Sequence, residues 1–177
     1  PFFATMPRLI IYELGVHFLD TLRYFFGEAN SVFARKTRVS SAIQGEDLAV
    51  ITLDMEDDVL AVVDLSWASL PARAYAKSVT WGEVVIEGDA GTLALTMDGN
   101  LHLRTLTRQQ TFAFPENGEV LGYQGAQQHF IDSLRSDQEA EISGKAMVKT
   151  MELVFGAYES AARHTNYRVT QDIERLA

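Results

Sequence analysis

What most constrains this chain is the shortness of the breaks between its extended stretches. Glu56-Asp57-Asp58, Gly88-Asp89-Ala90-Gly91 and Asp98-Gly99-Asn100 are tight polar turns, each set between runs of β-compatible residues. A parallel pair of strands needs a crossover of a dozen or more residues, so strands joined this closely pair antiparallel. The strand-like runs are Ser31 to Val39, Asp47 to Met55, Val59 to Trp67, Ser78 to Glu87, Thr92 to Met97 and Leu101 to Leu106. Thr111 to Phe114 adds a last short one, ended by Pro115.

Helical spacing marks the two ends. Leu9 to Tyr12 reads as extended and buried, and a first helix runs from Glu13 to Phe26, stopped by Gly27 as a left-handed cap. Glu116 to Gly125 reads as a Gly-rich polar loop. Gln127 to Arg135 is a helix with Phe130, Ile131 and Leu134 on one face. A last helix starts at Ser143, a good N-cap, carries Met147, Met151, Val154, Phe155 and Tyr158 at helical spacing, and ends near His164. Arg168-Val169 follows as an extended tail. The expected class is α+β: an open, mainly antiparallel sheet with helices packed on one face, as a single domain over residues 1–177. Several strands are apolar on both faces, as in Ala61-Val62-Val63 and Leu65. With so few helices to cover it, the free sheet face is expected to pair with a second copy, giving a homo-oligomer.

Charge and composition remove other classes. With 24 acidic against 15 basic residues the net charge is −9, and the excess is spread along the chain. Nucleic acid is not an expected partner, since phosphate binding needs clustered Lys and Arg. There is no Cys, which fits a reducing cytoplasm and excludes thiolate chemistry. No apolar run approaches the ~20 residues of a membrane span. The opening Pro1-Phe2-Phe3-Ala4-Thr5-Met6-Pro7 lacks both an initiator Met and the plan of a signal peptide, which reads as a chain cut from something longer.

The chemistry-bearing stretch is Glu13-Leu14-Gly15-Val16-His17-Phe18-Leu19-Asp20. On a helix Glu13, His17 and Asp20 fall at i, i+4 and i+7 and line one ridge, with Tyr24 beyond them. Gly15, Phe18, Leu19, Leu22, Phe25 and Phe26 fall on the opposite arc. Three readings of the ridge stay open on spacing alone. It is a solvated ion-pair face worth a few tenths of a kcal/mol. It is a His oriented and charged by carboxylates for acid–base work on a substrate hydroxyl. Or it holds a divalent cation, though His102, His129 and His164 show no ligand spacing to support a metal.

Lesser candidates for substrate contact are Arg73 and Tyr75, in the loop from Ser69 to Lys77, and His129 near a helix start. Gly15 in the first helical turn costs about 1 kcal/mol in propensity, so a close approach by another group is expected there. No GxSxG, GxGxxG or phosphate-binding loop sequence occurs, so this chain by itself is not expected to bind NAD or NADP.

The stretch Glu13-x-Gly15-x-His17-x-x-Asp20-x-x-Arg23, followed by Gly27, resembles the D-x-G-x-H-x-x-D-x-x-R motif of the Gfo/Idh/MocA oxidoreductases, the glucose–fructose oxidoreductase and inositol dehydrogenase family. Val85 to Leu93, with Gly88 and Gly91, resembles the family's strand–turn–strand hairpin. His129 to Arg135 resembles its penultimate helix, and Met151 to Ala162, with Tyr158-Glu159-Ser160-Ala161, its last. The likeness covers essentially the whole chain, in order.

The resemblance implies a C-terminal, dihydrodipicolinate-reductase-like domain that binds a sugar or polyol substrate and often carries the oligomer interface. It implies a separate Rossmann domain that holds NAD or NADP and supplies a catalytic Lys. By the same resemblance His17 handles the proton of, or binds, the reacting hydroxyl, with Glu13 and Asp20 beside it as catalytic residues. The family's first acid is usually Asp, and here Glu13 is one methylene longer. The reading is therefore the substrate-binding and oligomerisation domain of an NAD(P)-dependent sugar or polyol dehydrogenase, inactive by itself. The competing reading is a non-catalytic ligand-binding or assembly module of the same fold.

Overall fold

Alternation along the early strands becomes burial on one face. In β1 (Ala29–Thr37), β2 (Leu48–Met55) and β3 (Leu60–Ser66), Val32 and Ala34, then Ala49, Ile51 and Leu53, then Ala61, Val63 and Leu65 all point inward and are buried. Their neighbours in sequence point outward, as the period of two requires. The computed structural model describes residues 2–68, 79–115 and 117–170. The strand pairings are antiparallel throughout, in two four-stranded sheets. The first has the order β3-β2-β1-β8, where β8 is Tyr167–Arg168. The second has the order β4-β5-β6-β7, with β4 Val84–Gly88, β5 Gly91–Leu95, β6 Leu101–Arg104 and β7 Gln109–Phe112. The class is α+β as expected, but the strands expected in one sheet divide into two.

Among the described residues three α-helices accompany the sheets: α1 (Val16–Phe26), α2 (Gly118–Ser136) and α3 (Gly144–Arg163). The chain resolves into two compact units, one of Pro1–Ala72 with Glu141–Ala177 and one of Arg73–Ala140. In the first unit α1 and α3 cover the inner face of the sheet. Leu19 of α1 and Leu153, Val154, Ala157 and Ala161 of α3 join Val32, Ile51, Leu53 and Val63 in one core cluster. Truncating a buried Leu in such a cluster typically costs about 2–5 kcal/mol. The outer face of this sheet carries Val50, Leu60 and Val62, exposed by 37%, 74% and 62%, among Arg35, Asp54 and Asp64, which are exposed too.

Two local expectations are corrected. Residues 10 to 15 are helical, not extended: a wide π-type turn, Ile11–Gly15, leads straight into α1. Its apolar run of Leu9, Ile10 and Ile11, buried completely, has the composition of a buried strand. The Gly-rich segment expected as a loop belongs to α2, which begins at Gly118 and runs through Gly122 and Gly125. Each Gly costs about 1 kcal/mol against Ala, and the good helix formers between them outweigh that. The apolar residues of α2 do not form a buried face, since Phe130, Ile131 and Leu134 are exposed by 47%, 42% and 67%.

Other boundaries match. Ser143 caps α3, its hydroxyl accepting from the Ala146 N–H at 3.2 Å. His164 ends α3 in the left-handed conformation. Gly27 has φ +79 and closes α1, its N–H donating to the Arg23 carbonyl at 3.0 Å.

Candidate functional site

The ridge is real as backbone geometry, and it is open. His17, Asp20 and Tyr24 lie on α1 at i, i+3 and i+7, a spacing that shares one helical face. All three are exposed, while Leu19 on the other side of the helix is fully buried. Glu13 is half-buried and sits in the π-type turn just before α1. That turn is wider than an α-helical one, so Glu13 is set back from the position a regular helix would give it. Gly15 meets the sheet there: a Cβ on it would stand 3.0 Å from Leu65 Cδ1. The close approach expected at Gly15 is thus helix against strand.

Around Asp20 the structure adds a clasp that joins α1 to α3. The fully buried Thr150 donates its hydroxyl to Asp20 Oδ1 at 2.6 Å and accepts from Arg23 Nη1 at 2.6 Å. Arg23 also donates Nη1 to the Ala146 carbonyl at 2.9 Å and forms a two-point pair with Glu28, Nε to Oε2 and Nη2 to Oε1, each at 2.9 Å. Lys149 Nζ donates to Glu28 Oε1 at 2.9 Å. The Arg23 hydrogen bonds, aided by Lys149 and opposed by burial, hold the Glu28 carboxyl at about 2, well below its ordinary 4.5. The same bonds raise the Arg23 guanidinium above its usual range. One motif residue, Arg23, therefore ties α1, which bears His17 and Asp20, to α3, and Asp20 touches both solvent and this clasp. Its side chain is 55% exposed.

A second carboxylate fixes the start of the same helix. Glu46, 3% exposed in the loop between β1 and β2, accepts through Oε1 from the Leu9 N–H at 3.0 Å, the Ile11 N–H at 3.4 Å and the Tyr158 hydroxyl at 2.5 Å. Burial, and next the Glu46 carboxylate, push the Tyr158 hydroxyl far above its ordinary range, so it stays a donor. The neighbouring Asp47 accepts from the Val39 and Ser40 N–H groups at 2.7 and 2.8 Å and closes the loop. Glu46, Glu28, Lys149 and Thr150 were not singled out from sequence, and Tyr158 was read only as part of the last helix. The signal for Glu46 and Asp47 was two adjacent acids, after a Gly, at the start of an apolar strand.

The remaining candidates are scattered. His129 lies on α2 in the second unit, half-buried, with its carbonyl accepting from the Ser133 hydroxyl at 2.8 Å. Arg73 and Tyr75 lie outside the described residues. Among the described residues no three His, Cys, Asp or Glu side chains converge to hold a metal ion. No described helix is long and apolar enough to cross a membrane. No described strand leads through a Gly-rich turn into a helix, so these residues offer no cradle for a dinucleotide pyrophosphate.

Residues 4–94 match the model of the GFO/IDH/MocA C-terminal domain. The chain belongs to this family. Among characterised relatives, it is 37% identical over 171 residues to a D-apiose dehydrogenase of Paraburkholderia graminis, covering 91% of this chain and 45% of that one. It is 33% identical over 175 residues to a D-apiose dehydrogenase of Rhizobium rhizogenes, covering 92% of this chain and 49% of the other. A crystal structure of an oxidoreductase from Agrobacterium radiobacter, in complex with NAD+, L-tartaric acid and magnesium, superimposes with a TM-score of 0.85 at 30% identity. That match covers 97% of this chain and 52% of the other. The chain thus spans about half the length of the relatives it matches, and its family match is to a C-terminal domain.

Proposed function

We propose that this chain is the substrate-binding and oligomerisation domain of an NAD(P)-dependent dehydrogenase that oxidises a hydroxyl of a sugar or polyol. The single observation that carries the proposal is the exposed α1 ridge, with His17 held between two structural anchors and bordered by Glu13 and Asp20. The similarity to D-apiose dehydrogenases makes an aldose of that kind the first substrate to try. Because the described residues contain no dinucleotide cradle, the cofactor would be held by a Rossmann domain beyond this chain.

Oxidising a hydroxyl to a carbonyl removes a hydride from carbon and a proton from oxygen. The cofactor supplies the hydride acceptor; the residues here handle the proton. An unprotonated imidazole nitrogen of His17 takes it from the substrate hydroxyl as the carbonyl forms. Glu13 and Asp20 are proposed to stand beside the same hydroxyl as hydrogen-bond acceptors. Arg73, Tyr75 and His129 are proposed to contact substrate, as residues of the intervening unit. The outer face of the first sheet, with Leu60, Val62 and Val50 exposed, is proposed to meet a second copy. A cytoplasmic location accords with the absence of Cys.

The competing reading, a ligand-binding or assembly module without chemistry, draws on the lack of a cofactor cradle among the described residues and on the exposed apolar face of the first sheet. The two separate in one assay: the complete gene product, given NAD or NADP and a panel of aldoses and polyols that includes D-apiose. The dehydrogenase reading expects reduced nicotinamide to accumulate with at least one of them. A folded, complete protein that reduces neither cofactor with any sugar or polyol contradicts it.

A further inference from the structure

The turn that carries Glu13 into α1 has no cap of its own. Ile10, at its N-cap position, makes no side-chain capping bond. Three successive N–H groups there nevertheless have acceptors, and all three acceptors belong to Glu46. Its carboxylate accepts from Leu9 and Ile11, at 3.0 and 3.4 Å, and its main-chain carbonyl accepts from Ile10 at 3.1 Å. A helix start normally finds its acceptor within a few residues. Here the acceptor arrives from more than thirty residues downstream.

Further contacts surround this carboxylate. Tyr158 of α3 donates to the same Oε1, and Lys36 Nζ of β1 stands 3.5 Å from Oε2. Arg8 lies over the Tyr158 and Phe155 rings, 5.2 Å from each centroid, which seats the residue before the turn on α3. Gly45 allows the loop to come this close, since a Cβ there would stand 2.7 Å from both Leu9 Cβ and the Met6 carbonyl oxygen. The hold passes on to the ridge. The Leu9 carbonyl accepts from the Glu13 N–H at 2.8 Å, so Glu13 hangs from the residue that Glu46 grips.

We propose that Glu46 is a positioning residue of the α1 ridge: through its three-fold hold on Leu9, Ile10 and Ile11 it sets where Glu13 and His17 stand relative to the substrate hydroxyl. The inference rests on the dehydrogenase reading above. A carboxylate at a helix N-terminus complements the exposed N–H groups as well as the dipole. Productive geometry at a reacting hydroxyl is exacting, and a displacement of about 1 Å can cost on the order of a hundredfold in rate. A cap that mattered only for stability would alter the melting temperature and leave the turnover of folded enzyme untouched.

The test uses the complete gene product and four variants. Glu46→Ala removes all side-chain acceptors; Glu46→Gln keeps an acceptor oxygen and the shape. The expected result is a kcat lowered about tenfold or more in Glu46→Ala, an unchanged KM for the cofactor, and recovery of most of kcat in Glu46→Gln. Amide exchange at Leu9 and Ile11 should quicken in the Ala variant alone. A folded Glu46→Ala protein with wild-type kcat overturns the proposal, as does unchanged exchange at those two amides. Should Glu46→Ala fail to fold, Tyr158→Phe carries the same test by removing one bond to Oε1, with lowered kcat and quicker exchange expected and wild-type values overturning the proposal. The two readings fail differently. Loss of activity in His17→Ala beside full activity in folded Glu46→Ala sinks only the positioning role, whereas full activity in His17→Ala sinks the dehydrogenase reading of the ridge.

Discussion

At the scale of single residues, the family motif divides its labour. His17 is exposed on the first helix, Glu13 is half-buried in the turn before it, Asp20 is shared between solvent and the clasp, and Arg23 belongs to the clasp. Glu28 is the residue whose titration reports on that clasp. Its folded carboxyl titrates at about 2 against an ordinary 4.5. A depressed carboxyl contributes stability that is fully present above the unfolded value and lost as pH falls through the folded one. Glu28 therefore stabilises the protein above about pH 4.5 and loses that contribution between pH 4.5 and 2. Glu28→Gln should be less stable than wild type near neutrality and should show a flatter decline in urea midpoint through that window. Parallel declines in the two proteins would mean that the pair with Arg23 does not hold in solution.

At the scale of elements, the antiparallel hairpins were the most legible feature, because each tight turn leaves its flanking strands no other partner. The Glu56–Asp58 turn joins β2 to β3 in the register their alternation requires, and Gly91, at φ +154 with its Cβ position 2.3 Å from the Arg104 carbonyl oxygen, could be nothing but Gly. What stayed hidden depends mostly on contacts distant in sequence. The first turn of α1 reads as a strand because its cap lies at Glu46, and α2 reads partly as a loop because two Gly fall where nothing packs against them. The division into two sheets is likewise invisible to period-two patterning, which fixes neighbours and not sheet membership. One element-level expectation can be measured. Replacing Leu60 and Val62 by Lys, on the exposed face of β3, should leave the fold intact, since both side chains already face solvent. If that face joins two copies, light scattering will show the mass of the complete protein reduced to a smaller assembly. An unchanged assembly would place the interface elsewhere.

At the scale of the whole molecule, a core built from α1, α3 and one sheet presents a single helix ridge to solvent, and the chain spans about half of its characterised relatives, 45% and 49% of their lengths. The candidate site follows the same division. The motif residues could be named from spacing and family likeness, since a helical ridge is a local property. The anchors could not, because Thr150 reaches Asp20, Lys149 reaches Glu28 and Tyr158 reaches Glu46 from the far end of the sequence. Together they describe one wall of the proposed site, with no dinucleotide cradle among the described residues. The most direct test of that account is the turnover of the complete gene product carrying His17→Ala, with a sugar that the wild type oxidises. General acid–base catalysis of this kind contributes about a hundredfold or more. The account predicts a fall in kcat of that order with the KM for NAD or NADP unchanged; a folded His17→Ala enzyme turning over at the wild-type rate would contradict it.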